Sequence, residues 1–232
     1  MNKTESMNDN RVFLCGLLRH QRCMMPTWRG WIAILLTVTL ATSMAVRNAY
    51  NFLAVTDPVP GGYLVVEGWG PDLFMQDAIS EFRRNHYKEM FVTGGPIEKS
   101  AMFCEFKTYA ELATATLVRM GFDPGLLHAI PARKVRQDRT YTSALALKKW
   151  LREHGMNVTS LTIISMGPHS RRSRLLYQKA FGNKIKVGII AVEDQETDPQ
   201  HWWTNSQGFR SVTDEMVAYV YARFLFHPSN EE

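Results

Sequence analysis

The chain has 232 residues, 45% of them hydrophobic and 21% charged, which is room for one domain with a real core plus a short appendage and too little for two catalytic domains. Its three cysteines, Cys15, Cys23 and Cys104, exclude a disulfide scaffold, and Cys15 and Cys23 lack companions at zinc spacing. The formal charge of +5 sits largely in residues 1–46, where Lys3, Arg11, Arg19, Arg22 and Arg29 face only Glu5 and Asp9; of the chain's 27 bases and 22 acids, 22 and 20 remain for residues 47–232. With neither a basic stripe nor an aromatic-rich signature, nucleic acid is not expected as a partner.

Gly30 to Val46 is free of charge, is bracketed by Arg29 and Arg47, and has Trp28 and Trp31 where interfacial aromatics belong. A spanning helix needs roughly 17–25 apolar residues, so this run suffices. The bases preceding it predict a cytoplasmic tail (1–29), a single-pass anchor in the cytoplasmic membrane (30–46) and an extracytoplasmic main domain. Ser43-Met44-Ala45 resembles a small-x-small cleavage site, so a cleaved signal peptide is the alternative. Residues 47–61, ending in two prolines and a glycine, read as a spacer that holds a domain off a surface.

From residue 62 to 228 strands and helices alternate, leaving 229–232 as a tail. Tyr63–Glu67 is a buried-strand pattern, halted by Gly68-Trp69-Gly70-Pro71, and Asp72 is expected to cap a helix with Phe74, Met75, Ala78, Ile79 and Phe82 inward. Glu89–Thr93 is a second strand, ended by Gly94-Gly95-Pro96. A helix over about 107–120 and a weak strand over 128–132 follow. The next helix starts at Asp138 or Thr140 and runs to His154. Ser160–Ser165 is the clearest strand, Ser170–Phe181 a helix, and Lys186–Ala191 a fifth strand. Trp202 and Trp203 lie in a loop, read as a packed edge, a pocket wall or a contact with the membrane surface, before a last helix over about 212–226. This alternation predicts an α/β fold, a Rossmann-like parallel sheet of about five strands with helices on both faces. No GxGxxG follows the first strand, so a dinucleotide fingerprint is absent.

In such sheets ligands sit beyond the carboxyl ends of the strands. Thr93-Gly94-Gly95 ends one strand and can offer backbone N–H groups to an anion, or make a ligand-free tight turn. Arg171, Arg172 and Arg174 fall in the first turn of a helix, where the dipole already presents positive charge. They are read as a cradle for phosphate or carboxylate, or as partners of internal acids. His169, between strand and helix, suits a general acid or base, or else a structural hydrogen bond. Arg139 and Thr140 open another helix and offer a second anion contact or a plain cap. Glu67, ending the first strand, acts as base or orienter, or pairs with an arginine. Ser165 stands at the end of its own strand. No GxSxG elbow, P-loop, HExxH or kinase set occurs, and no metal site is expected.

Thr93-Gly94-Gly95, Arg139-Thr140 with Ala144, and Ser165 with His169, Arg172 and Ser173 resemble, in order and spacing, the TGG, NTxxNA and TSxxHxxRA patterns of the ElyC/SanA/YdcF family (domain of unknown function 218). Val65-Val66-Glu67-Gly68-Trp69-Gly70-Pro71-Asp72 looks like a subgroup signature. The chain departs from the family at Arg139, Thr142 and Ser143, where amide and acid side chains are usual. The resemblance implies a Rossmann-like domain, often membrane-anchored, in envelope or peptidoglycan biogenesis. Two expectations follow. One is a hydrolase or transferase acting on an anionic, phosphorylated or carboxylated precursor, small or lipid-linked, with His169 and Glu67 as catalytic residues. Thr93, Gly94, Gly95, Arg139, Thr140, Ser165 and Arg172 would then bind the substrate. The other is a non-catalytic module that binds an anion or an envelope partner.

Overall fold

Five runs rich in aliphatic residues make the strands: β1 (Tyr63–Glu67), β2 (Met90–Gly94), β3 (Leu127–Pro131), β4 (Ser160–Met166) and β5 (Lys186–Val192). In the computed structural model, which describes residues 12–13, 18–19, 26–97, 105–194 and 197–228, they form one parallel sheet in the order β3-β2-β1-β4-β5. Five helices accompany the sheet: α2 (Asp72–Asn85), α3 (Tyr109–Arg119), α4 (Arg139–Glu153), α5 (Ser170–Phe181) and α6 (Ser206–Val220). The α/β fold is as expected.

Alternation along each strand divides the core in two. Leu64, Val66, Met90 and Val92 meet Phe74, Met75, Ala78 and Leu117 of α2 and α3. Val65, Phe91, Ile163 and Ile189 meet Ala144, Leu147, Tyr177 and Phe181 of α4 and α5. Because both faces are covered, the strands read as continuous apolar runs. The sheet order reverses between β1 and β4, so the carboxyl ends of these two strands flank the crevice where doubly wound sheets bind ligands.

The chain divides into two compact units, Met1–Met44 and Ala45–Glu232. In the first, Val12–Phe13 and Leu18–Arg19 pair as short antiparallel strands. One helix, α1 (Trp28–Leu53), is 26 residues long, or about 39 Å at 1.5 Å per residue. An 18-residue stretch of it has a mean hydropathy of 1.5, so by length and composition the helix is able to cross a membrane. It extends beyond the expected 30–46 at both ends, and within the second unit its residues Tyr50 and Leu53 are buried beside Trp202 and Val212. Trp202 is a packed residue, its indole N–H donating to the Val46 carbonyl at 3.1 Å.

Several boundaries differ from those expected. The segment read as a free spacer is bound along the domain: Asp57 bridges Ile189, Val59 N donates to Thr162 Oγ1 at 3.1 Å, and Val55 N donates to Ser170 Oγ at 2.9 Å. Gly188 permits this approach, since a Cβ there would lie 2.5 Å from Val59 N. Asp72 is the first residue of α2, after Pro71, and no side chain caps that end. Asp138 precedes α4 in a left-handed conformation (φ 57°), also without a side-chain cap bond. α3 starts at Tyr109 because Thr108 and Glu111 form a reciprocal capping box. α6 begins at Ser206, six residues before the expected Val212, where Asn205 Oδ1 accepts from Gly208 N at 2.7 Å. A π turn, Tyr221–Leu225, follows it.

Candidate functional site

Glu67 ends β1 with its side chain almost wholly buried. Two hydroxyls from neighbouring elements hold its carboxylate: Ser165 Oγ, on β4, donates to Oε2 at 2.5 Å, and Ser173 Oγ, on α5, donates to Oε1 at 2.8 Å. Charge-assisted bonds of this kind replace the water that burial removes.

His169 closes a single 3-10 turn, Gly167–His169, between β4 and α5. The turn requires glycine at its start, because Gly167 has φ 42° and a Cβ there would stand 3.1 Å from the Tyr50 hydroxyl. The imidazole Nδ1 lies 2.7 Å from Glu215 Oε1 on α6, while Nε2 faces Glu67 Oε1 at 3.7 Å and Thr140 Oγ1 at 3.5 Å. Arg172 Nη2 also stands 2.8 Å from Nδ1, but it has Glu215 Oε1 as a second acceptor at 2.9 Å. A carboxylate oxygen only accepts, and a bare Nδ1 lone pair at 2.7 Å would repel it, so Nδ1 carries the proton that Glu215 receives. In the neutral ring Nε2 is then an acceptor beside Glu67 and the cavity. The Trp69 ring meets the imidazole edge-on, with centroids 5.2 Å apart.

Arg172 locks the same acid from the other side. Its Nε donates to Glu215 Oε2 at 2.7 Å and its Nη2 to Oε1 at 2.9 Å. Burial pushes the Glu215 carboxyl up, but the hydrogen bonds from Arg172 and His169 outweigh it and hold the group at about 2. Burial would likewise lower the Arg172 guanidinium; the bonds and charge of Glu215, with Glu67 and Asp138 behind, raise it instead.

A cavity of about 660 Å³ opens over these groups. Of the residues expected to bind or react, Glu67, Thr93, Gly94 and Gly95 line it, as do Arg139, Thr140, His169 and Arg172. Ser165 lies beneath, fully buried against Glu67. The structure therefore brings the predicted residues to one place, but it gives several of them different tasks. The Thr93 hydroxyl is engaged with Tyr177 Oη at 3.0 Å. Gly94 is a glycine because α3 packs on it: a Cβ would lie 2.7 Å from Ala110 N. Gly95, by contrast, would place a Cβ in open space.

The expected cradle of three arginines is divided. Arg171 turns to the Phe52 carbonyl and lies over the Phe52 ring at 4.1 Å. Arg174 binds Val187 O at 3.1 Å and Asp57 Oδ2 at 2.7 Å. Arg172 reaches the cavity, with one edge of its fork occupied by Glu215. The reason is electrostatic, since guanidinium groups at a helix N-terminus are unfavourable until something negative or a carbonyl joins them, and internal partners already serve.

Positive charge reaches the cavity from another element. Lys134, Arg136 and Arg139 line it from the β3–α4 connection and the first residue of α4. Among the described residues, no ion pair involves any of the three. The opposite wall is apolar: Leu176, Ala218, Tyr221, Ala222 and Phe226. Among the described residues no cluster of three or more His, Cys, Asp or Glu is placed to hold a metal ion.

Glu215, Ser173, Lys134 and Arg136 were not singled out from sequence as site residues. Glu215 did carry a signal, being a carboxylate between Val212 and Met216 on the inward side of a helix, a position that demands a partner. Comparison with protein-family models, with curated proteins and with solved structures returned no match.

Proposed function

We propose that the chain is a membrane-anchored relative of the ElyC/SanA/YdcF family. Its α/β domain, outside the cytoplasmic membrane, is a hydrolase or transferase for an anionic precursor of the cell envelope. One observation carries this reading. His169 is oriented by Glu215 through Nδ1, so that Nε2 is turned toward Glu67 and a cavity whose rim is basic. An imidazole fixed through one nitrogen by a carboxylate has a defined tautomer and accepts a proton at the other nitrogen.

In this reading Lys134, Arg136 and Arg139 draw in and hold a phosphate or carboxylate, and Gly95 lets the ligand approach the backbone. His169 Nε2 takes the proton from an attacking water or hydroxyl, and Glu215 stabilises the imidazolium that results. Glu67, held by Ser165 and Ser173, orients the nucleophile or the leaving group. Arg172 serves as a positioning residue that keeps Glu215 ionised. Anchoring rests on the apolar helix Trp28–Leu53, and its orientation on the bases that precede it.

The test is a thermal-shift screen of the full chain in nanodiscs against lipid-carrier phosphates, sugar nucleotides, muropeptides and nucleotides, followed by product analysis of each hit. Conversion of a hit by the wild type and its loss in His169→Ala, with binding retained, supports an enzyme. Binding with no product in either protein, and affinity unchanged in His169→Asn, assigns the cavity to a non-catalytic binding module.

A further inference from the structure

The cavity over His169 changes character along two of its walls. On α5, Arg172 is followed one turn later by Leu176; on α6, Glu215 is followed by Ala218 and, in the π turn, by Ala222. Spacings of three and four residues set each series on one face. The two faces run the same way: their charged ends meet in the Arg172–Glu215 pair, and their apolar ends meet where Leu176 and Ala222 pack with Phe226. Phe226 closes that end, edge-on to Tyr141 with centroids 5.1 Å apart. Tyr221, 44% exposed, stands at its rim. Glu215 and Ala222 are seven residues apart, so the apolar stretch extends about 10 Å from the charged one.

The charge around the cavity fixes what the polar end takes. Arg133, Lys134, Arg136, Arg139 and Arg172 bring five cations to it, and Glu67, Asp138 and Glu215 three carboxylates. Counting the imidazole as neutral, two positive charges remain in excess. A phosphate monoester, with a charge of about −1.5 to −2 at neutral pH, answers both, whereas a carboxylate answers one. A ligand made of the anion alone would leave Leu176, Ala218 and Ala222 facing water. Ligand cavities with such a wall are matched by apolar surface on the ligand, each buried methylene adding to affinity.

We propose that the ligand of this cavity is an amphiphile: a phosphate monoester whose head lies among Lys134, Arg136 and Arg139 and whose apolar body lies along Leu176, Ala218, Tyr221 and Ala222. This rests on the reading of the cavity as an anion site and names its substrate class. The basic loop holds the head beside His169, and the α6 wall selects the body. A water-borne alkyl phosphate and a bilayer-borne one share this chemistry.

The test is isothermal titration calorimetry of the full chain in neutral-lipid nanodiscs, with empty nanodiscs as the partition blank. Methyl, butyl and hexyl phosphate are compared with glycerol phosphate, whose body is close to butyl in size but polar. Affinity should rise about two- to fourfold with each added methylene, while glycerol phosphate stays with methyl phosphate. Tyr221→Ser and Ala218→Gln, each shown by far-UV circular dichroism and Tm to be folded, should cut that rise and leave methyl phosphate affinity in place. Lys134→Ala/Arg139→Ala should weaken the whole series alike, tenfold or more.

Equal affinity across the series, with loss in the double variant, overturns the amphiphile and leaves the anion site standing. A rise that Tyr221→Ser and Ala218→Gln both leave intact puts the apolar body elsewhere and also overturns it. No binding of any member, or affinity that the double variant leaves unchanged, overturns the anion site and the amphiphile together. Nanodiscs doped with hexadecyl phosphate separate the two sources. Competition with hexyl phosphate supports a bilayer-borne ligand, and undiminished hexyl phosphate binding supports a water-borne one.

Discussion

Glu215 and His169 lie 46 residues apart in the chain, yet Oε1 of the first stands 2.7 Å from Nδ1 of the second. The contact joins α6 to the turn after β4 and fixes the imidazole over the switch point of the sheet. Arg172 completes the group from one turn further along α5. Glu215 is thus both the orienter of a candidate base and the partner of a largely buried guanidinium.

Removing that acid should therefore act on stability as well as on chemistry. Glu215→Ala leaves Arg172 without its charge partner, and breaking a buried pair costs about 3–5 kcal/mol. Urea unfolding of Glu215→Ala should show this loss, and adding Arg172→Met should recover a good part of it. Equal loss in the single and double variants would show that the pair contributes nothing as a pair.

The same acid sets an acid limb. Its carboxyl is held at about 2 instead of 4.5, so as pH falls the unfolded chain takes up the proton before the folded one. The corresponding stabilisation, about 3 kcal/mol, is complete above the ordinary carboxylate range and fades as pH drops toward the folded value. Wild-type stability followed between pH 5 and 2, by about half-unit steps, should fall more steeply than that of Glu215→Gln. Parallel curves would contradict this origin.

The basic rim should matter for ligand and not for folding. Lys134, Arg136 and Arg139 lack ion-pair partners among the described residues, so replacing any one with Ala should change unfolding free energy by no more than about 0.5 kcal/mol. Affinity for an anionic ligand found by thermal shift should fall by about 1.5–3 kcal/mol for each cation that had bonded to it, tenfold or more. Unchanged affinity in all three variants would place the ligand elsewhere.

Gly94 offers a purely steric check. Its missing side chain lets α3 approach to 2.7 Å of where a Cβ would stand. Gly94→Ala should cost about 1–3 kcal/mol through backbone displacement, read as a lower Tm, whereas Gly95→Ala, with open space around it, should leave Tm nearly unchanged and affect only ligand binding. A similar fall in both would mean that the turn as a whole, rather than its contact with Ala110, needs glycine.

The strands, their parallel arrangement and the end of the sheet where the site forms are all legible in the amino acids alone. Each depends on short-range periodicity: apolar runs such as Leu161–Ile164 have one stable use in a covered sheet, and strand ends marked by Glu67, Gly94 and Gly167 follow from the run lengths. The uncharged run Gly30–Val46 likewise marks the helix able to enter a membrane. Which charges meet is a different matter, settled only when the elements pack. Arg171, Arg172 and Arg174 look alike as neighbours in the chain, but successive positions on a helix point about 100° apart, so each finds a different partner. Nothing local announces that Glu215 faces His169, that Ser173 shares Glu67 with Ser165, or that residues 55–59 lie along β5. Such pairings arise between residues far apart in the chain, because each buried charge must find its counterpart among whatever the fold brings near.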